Sequence, residues 1–577
     1  MNGLLKYLRR YTRECILAPL FKMLEASFEL MIPLVMKAMV DDGIAAGDQS
    51  VVIRSVLIMV ALGLIGLISS VTAQYFSAKA AVGVATGVRH SLFGHLQSLS
   101  FSNMDEMGSS TMITRMTSDV NLVQTGVNMT LRLFLRSPFV VFGAMIMAFT
   151  VDARSALIFA AVILALSLVV FGVMAVNIPM MKGVQKALDK VLGATRENLS
   201  GARVIRAFCK EDSQFAEFVQ KNRDLSRRQK RAGWISGLMN PVTYLLINFA
   251  TAYLIYTGAV QVSGGVLTPG EVVALYNYMG QILVELIKLA NLIVTMNKAF
   301  AGWNRIADAL AIVPDMQSPE RTAEPAAAIA NDEAVRFANV SLHYKNAGGE
   351  SLTDIDFTAL KGQTIGVIGG TGSGKSSVVR MIPRFYDATA GEIFVNGVNV
   401  RDWREDELRD RIGFVLQKAS LFKGSIRDNL RWGKPDATDA ELDEAIRIAQ
   451  AGDVIAAKGG LDAMIEQNGR NLSGGQRQRL TIARALVRKP EILILDDSSS
   501  ALDQATDLNL RRALCGLDYH PTVFIVSQRT ASIRNADRIL VMDDGRLVGS
   551  GTHDELLESC PVYREIYESQ YTEEASA

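Results

Sequence analysis

Residues Gly369, Gly370, Thr371, Gly372, Ser373, Gly374, Lys375 and Ser376 have the types and spacing to hold a string of phosphates. The glycines let successive backbone N–H groups wrap an anion, Lys375 reaches the outer phosphates, and the Ser376 hydroxyl suits Mg²⁺. At Ser377 a helix pattern takes over, and the positive end of that helix adds to the field. Further on, Asp496 and Asp497 close the apolar stretch 492–495, where a carboxylate commonly holds Mg²⁺ or its water. Between the two lies the pentapeptide Leu472, Ser473, Gly474, Gly475, Gln476.

The surrounding pattern says which elements hold these groups. Residues 364–368 are β-branched and apolar, as in a buried strand, and the glycine-rich run then opens a helix. Strand, loop and helix in that order is the setting that phosphate binding requires. Strand and helix signals keep alternating, which predicts an α/β phosphate-loop nucleotide-binding domain over 334–577. A stretch rich in Ala, Pro and Glu, 313–333, reads as a linker.

Residues 1–312 are of a different kind. Hydrophobic residues make up 49% of the 577-residue chain, yet Lys and Arg number 60 against 59 Asp and Glu, so the charges are segregated. Six stretches reach the roughly 20 apolar residues that cross a bilayer: 16–40, 52–82, 131–150, 155–179, 240–262 and 271–299. An all-α transmembrane domain of six helices is therefore expected, with the lipid bilayer as its first partner. The connections 41–50, 151–154 and 263–270 hold few basic residues, whereas 83–130 and 180–236 are long and carry Arg89, Arg115, Lys182, Lys186, Arg227 and Arg228. Basic residues collect on the cytoplasmic side. Both ends of the chain and the nucleotide-binding domain are thus expected in the cytoplasm of a multi-pass plasma (inner) membrane protein. The long polar connections predict membrane helices that extend far into the cytoplasm.

Lys6, Arg9, Arg10 and Arg13 precede an apolar run that is broken by charges and lacks a small-residue cleavage signature, so this segment is expected to be retained. A net charge of +1 gives no reason to invoke nucleic acid. Cys15, Cys209, Cys515 and Cys560 have neither disulfide nor zinc spacing and read as packing residues.

Polar groups inside the apolar stretches need a reason, because a charge at the bilayer centre costs roughly 3 kcal/mol. Lys22, Glu25 and Glu29 share one helix face, and Asn277, Gln281, Glu285 and Lys288 form a second stripe. Two readings stand. Glu25, Glu29, Asn277, Gln281 and Glu285 line a water-filled cavity for cargo, or Lys22 with Glu25 and Glu285 with Lys288 are buried structural pairs. Pro33 and Pro138 are expected to bend their helices.

Taken with the phosphate loop and the Asp496 strand, the 472–476 pentapeptide makes the chain resemble one half of an ATP-binding cassette (ABC) exporter over essentially its whole length. The resemblance implies ATP and Mg²⁺ as cofactors, with Ser376, Gln417 and Asp496 around the metal. It implies that Tyr344 stacks on adenine, that Gln417 couples the metal to the membrane domain, and that 500–503, ending in Asp503, crosses a dimer interface. Runs 197–211 and 108–119 resemble the family's second and first cytoplasmic loops. Two cassettes would face head to tail, so that Ser473, Gly474, Gly475 and Gln476 serve the partner's ATP. Closure on ATP and reopening on hydrolysis would swing the membrane halves between inward-facing and outward-facing states.

Two positions depart from the family. Asp497 stands where the family has a glutamate that orients the attacking water, and Gln528 stands where it has a histidine. The carboxylate is shorter by one methylene, and glutamine carries no charge near neutral pH. None of His90, His95, His343, His520 and His553 falls at that position. The resemblance is then to the degenerate-site subunit of a heterodimeric bacterial multidrug exporter, moving lipophilic or amphipathic drugs or lipids. Such a subunit binds ATP but leaves most hydrolysis to its partner's site. A homodimeric lipid or drug flippase and an ATP-binding regulatory subunit are the alternatives.

Overall fold

The computed structural model describes residues 2–323, 332–345 and 347–574, so residues 324–331 of the expected linker lie outside the described residues. The chain divides into two compact units, Met1–Gln97 with Ser110–Ile312, and Ser98–Ser109 with Val313–Ala577.

Helices make up the first unit: Thr12–Ala38, Gln49–Gln97, Val120–Leu133, Arg136–Val151, Ala153–Ser200, Glu211–Ser263 and Pro269–Leu310 are the long ones. At 1.5 Å per residue the 49-residue helix Gln49–Gln97 runs roughly 74 Å, more than twice the ~30 Å of a hydrocarbon core. Among the described residues, five helical stretches are long and apolar enough to cross a membrane. Thr12–Ala38 is not among them, because Lys22, Glu25 and Glu29 interrupt its apolar run.

The packing logic is that of lipid solvent. Leu57, Leu64, Leu164 and Leu168 are exposed, whereas Ala73, Ser77, Ala80, Ala81 and Val84 are buried on Gln49–Gln97. Small residues turned inward let helix backbones approach closely where apolar burial gives little drive. One such approach demands glycine: a Cβ on Gly270 would lie 2.5 Å from the Lys37 carbonyl oxygen. There the Gly270 N–H donates to Asp41 Oδ1 at 2.8 Å, and Thr268 and Glu271 form a capping box that starts Pro269–Leu310.

Two expectations are corrected. Pro138 sits in the first turn of Arg136–Val151, where its missing N–H costs no helical bond, so it begins a helix and does not bend one. Pro33 does lie inside Thr12–Ala38, just ahead of the π-helical turn Met39–Ile44. Of the cysteines only Cys560 is buried; Cys209 and Cys515 are exposed and Cys15 is intermediate, so three are not core packing residues.

The second unit holds strands β1 (Glu333–Leu342), β2 (Leu352–Leu360), β3 (Thr364–Gly369), β4 (Ala390–Val395), β5 (Val398–Asn399), β6 (Ile412–Val415), β7 (Gly424–Ser425), β8 (Met464–Ile465), β9 (Ile492–Asp496), β10 (Thr522–Val526), β11 (Arg538–Asp543) and β12 (Arg546–Gly551). An antiparallel sheet runs β2-β1-β4-β5, and a six-stranded sheet runs β12-β11-β3-β10-β9-β6. Every residue of β9 and β10 is buried, which is why 492–495 and 523–526 read as unbroken runs of Ile, Leu, Val and Phe.

The short helix Phe101–Met107, capped by Ser100, belongs to this unit and not to the membrane helices on either side of it in sequence. Phe101 lies 4.5 Å from the Phe385 ring, Tyr386 Oη donates to Asp105 Oδ2 at 2.7 Å, and Asn103 Nδ2 donates to Asp315 at 3.1 Å. The attached segment thus precedes the run 108–119 singled out in the sequence. Burial pushes the Tyr386 phenol up, and Asp105 pushes it further, so the proton that makes this bond stays in place. Tyr386→Phe is expected to lower thermal stability by about 1 kcal/mol, read from unfolding of the purified protein.

Candidate nucleotide site

Strands β9, β10 and β3 lie side by side and parallel, so their C-terminal ends open on one edge of the sheet. β3 delivers the phosphate loop, β9 delivers Asp496 and Asp497, and β10 delivers Ser527 and Gln528. A cleft of about 400 Å³ results, with Tyr344, Thr371, Gly372, Gly374, Lys375, Ser376, Ser377, Gln417, Asp497 and Gln528 in its wall.

The loop is held open by glycine backbone. Gly372 and Gly374 have φ of 85° and 94°, and a Cβ on Gly374 would come 2.7 Å from Leu352 Cδ2 and 3.1 Å from the Ser351 carbonyl oxygen. The Lys375 ammonium donates to the carbonyls of Gly369 (2.9 Å) and Gly370 (2.5 Å), within reach of Ser373 Oγ at 3.4 Å. Burial holds its pKa down, against the opposing pull of Asp497 and Asp496.

Asp496 is 0% exposed; its Oδ1 accepts from Ser376 Oγ at 2.6 Å, and Arg380 reaches Oδ2 at 3.4 Å. No group of three His, Cys, Asp or Glu side chains that could hold a metal exists among the described residues. A hydroxyl beside a buried carboxylate is nonetheless an all-oxygen donor pair, which fits Mg²⁺ completed by phosphate and water. Gln417 Nε2 donates to Asp497 Oδ2 at 3.1 Å. Asp497 has a left-handed backbone with φ of 47°, and its N–H donates to the Val526 carbonyl at 3.0 Å. Burial pushes its carboxyl pKa up, while Gln417 pulls it down. Tyr344 stands at the cleft's rim, its hydroxyl donating to Ser377 Oγ at 3.0 Å and its ring edge-on to Tyr386 at 5.0 Å.

The 472–476 pentapeptide does not line this cleft. Ser473 caps the helix Gly474–Leu486 in a reciprocal box with Gln476, and Ser473 and Gly474 are exposed. Gly475 sits against the 500–503 loop, where a Cβ would lie 2.9 Å from the Ala501 carbonyl oxygen. Asp503 likewise stands outside the cleft wall and caps Gln504–Cys515, accepting from Thr506 N–H at 2.9 Å and Thr506 Oγ1 at 2.7 Å. Sequence reasoning missed Gln570. Its amide donates to the Gln528 carbonyl at 2.7 Å and accepts from Thr530 N–H at 2.9 Å, which pins the backbone after β10.

In the membrane unit, Glu29, Asn277, Gln281 and Glu285 line a polar pocket of about 360 Å³, but Glu25 does not. Lys22 bonds Glu25 at 2.6 Å and Ser70 at 3.0 Å, and Lys288 bonds Glu285 at 2.8 Å. The two pairs of one reading are present, and four of the five residues named in the other line one pocket. The centre of the network is a residue the stripes did not reveal. Arg136, 6% exposed, bonds Glu285 and Glu29, the latter at 2.6 Å, and Ser137 donates to Glu285 at 2.8 Å.

A helical membrane unit joined in one chain to a phosphate-loop α/β unit defines a membrane protein driven by nucleotide. The description "ABC transporter transmembrane region" matches residues 15–286, and "ABC transporter" matches residues 352–500. An ABC transporter ATP-binding protein of Mycobacterium tuberculosis, Rv1273c, is 33% identical over 98% of this chain and 97% of its own. YfiB of Bacillus subtilis, another ABC transporter ATP-binding protein, is 33% identical over the full length of both. YgaD of the same organism, named for multidrug export, is 31% identical over 99% of this chain and 98% of its own. A bacterial Atm1-family ABC exporter solved with ATP bound shares the fold, with a TM-score of 0.78 over 98% of both chains at 23% identity. The chain belongs to the ABC transporter family: it is a multi-pass membrane protein that carries an ATP-binding ATPase domain.

Proposed function

We propose that this chain is one half of an ATP-driven exporter, paired with a different ABC half-transporter in the plasma membrane, with both termini and the ATP-binding domain in the cytoplasm. Residues 1–312 form the membrane domain, 313–333 the linker and 334–577 the cassette. Its own site holds ATP and Mg²⁺ but hydrolyses slowly. The observation that carries this reading is the shared edge of β3, β10 and β9, which brings Lys375, Asp497 and Gln528 into one cleft. Lys375 and the loop N–H groups take the phosphates, Ser376 and Asp496 the metal with Gln417 beside it, Ser377 also binds the nucleotide, and Tyr344 stacks on the adenine. At the two positions where chemistry is done, the carboxylate is short and the histidine is replaced, and in-line phosphoryl transfer depends on placement.

The exposed Ser473 and Gly474, away from this cleft, fit a nucleotide on a second cassette. Exposed apolar residues on the second cytoplasmic loop, Val204 (60%) and Phe208 (71%), likewise fit a seat on the partner. Cargo enters the pocket of Glu29, Asn277, Gln281 and Glu285; its mixed polarity and a relative named for multidrug export support amphipathic or lipophilic drugs or lipids. Turnover by the purified chain alone is expected to be low and unchanged by Asp497→Asn, and robust turnover abolished by that change overturns the degenerate-site reading. A homodimer draws support from the intact 472–476 run and the retained carboxylate, and the mass of the purified assembly with and without a co-expressed half-transporter separates the two. Gly374→Ala is expected to weaken ATP binding at least tenfold, read by titration with a fluorescent ATP analogue, because the new methyl meets Leu352 and a left-handed backbone.

A further inference from the structure

The first unit holds a cavity that neither site uses. Between the helix Asn2–Leu8 and the helices Val120–Leu133 and Pro269–Leu310 lies an almost wholly apolar pocket of about 230 Å³, with Leu5, Leu8, Val127, Leu131, Met296 and Phe300 in its wall. Leu131 and Met296 stand at the cytoplasmic ends of the third and sixth apolar stretches, so the pocket opens at the level of the inner leaflet, a placement that rests on the orientation proposed above. Tyr7 packs edge-on against Trp303 at 6.2 Å beside it, and aromatic side chains of this kind collect at headgroup depth.

The charge on the segment next to this pocket is mostly positive. Lys6, Arg9, Arg10 and Arg13 are all exposed, and none has an ion-pair partner among the described residues. The neighbouring carboxylate, Glu14, is taken by Lys79 at 2.8 Å. Arg9 follows Leu5 by four residues, which puts a cation over the same helical side as a pocket-lining leucine. An apolar pocket walled by a segment that also carries exposed cations without ion-pair partners has the complementarity of an anionic lipid.

We propose that this pocket takes an acyl chain of an anionic phospholipid from the inner leaflet, whose phosphate is held by Arg9 and Arg10 with Lys6 and Arg13 close by. The site fastens the N-terminal helix to the membrane helices through a lipid. The test uses the full chain, purified in detergent with equal amounts of phosphatidylglycerol and phosphatidylcholine of matched chains, with retained lipid counted by native mass spectrometry. Phosphatidylglycerol is expected to be retained over phosphatidylcholine by roughly fivefold or more. Arg9→Gln with Arg10→Gln is expected to bring the two to parity. Thr130→Trp, which fills the pocket from its wall, is expected to abolish retention of both, and Val127→Phe serves in its place if that variant does not fold. Equal retention by the unaltered chain overturns the proposal. So does a preference that survives the filled pocket, which is general surface attraction, and so does displacement of the lipid by inorganic phosphate alone. Cytoplasmic accessibility of an N-terminal tag tests the orientation separately.

Discussion

Asp497→Glu combined with Gln528→His is expected to raise ATP turnover by the purified chain at least tenfold, with ATP affinity little changed. The two side chains enter the same cleft from the ends of neighbouring strands, β9 and β10, facing the loop that carries Lys375 and Ser376. A general base contributes roughly 10²- to 10⁴-fold when it stands within hydrogen-bond reach of the proton it takes, and one methylene decides that reach. Asp497 is drawn toward Gln417, at 3.1 Å, and partial burial makes its carboxyl favour the protonated form more than a free aspartate does. Glutamate at a left-handed φ of 47° costs about 1 kcal/mol of folding stability more than aspartate, a cost shared by ground state and transition state that leaves the barrier unchanged. The measurement is steady-state phosphate release beside binding of a fluorescent ATP analogue. If binding persists and turnover does not rise, the two substitutions are not what slows the site.

The sequence made the cassette legible because its chemistry is local. Residues 369–376 carry their own backbone geometry, and β3 announces itself as a run of buried apolar residues. What escaped is what only packing decides. Phe101–Met107 reads as part of a polar connection between membrane helices, and only the Phe385 and Tyr386 rings reveal that it belongs with the second unit. Gln570 looks like any polar residue of a terminal helix until its amide meets the backbone after β10. The two stripes were visible from their spacing, but the arginine between them was not, because Arg132 and Arg136 both fall near the start of the apolar stretch 131–150 and only packing shows that Arg136 is the buried one. A cation in such a run was the available signal: once buried it needs carboxylates, and the stripes offer Glu29 and Glu285.

That pairing sets the second large effect. Arg136→Met is expected to cost about 3 kcal/mol of stability, since it leaves Glu285, 3% exposed, with only Lys288 and Ser137. Glu285→Gln in the same chain is expected to return at least ~1 kcal/mol of that loss, because the stranded charge is what makes the single change severe. Thermal unfolding of the wild type, both single variants and the double variant completes the cycle, and simple additivity would show that Arg136 and Glu285 do not act as a pair. The same network explains why the pocket can be polar without a surplus of charge. Lys22, Arg136 and Lys288 face Glu25, Glu29 and Glu285, so the cations balance the carboxylates. Only Glu29 combines a share of Arg136 with a side chain 40% exposed in the pocket. Glu29→Gln should therefore alter cargo-stimulated ATPase in the assembled transporter more than it alters unfolding, whereas Glu285→Gln should do the reverse. That contrast separates a group that meets cargo from one that holds helices together, and it assigns the two roles left open by spacing to different carboxylates.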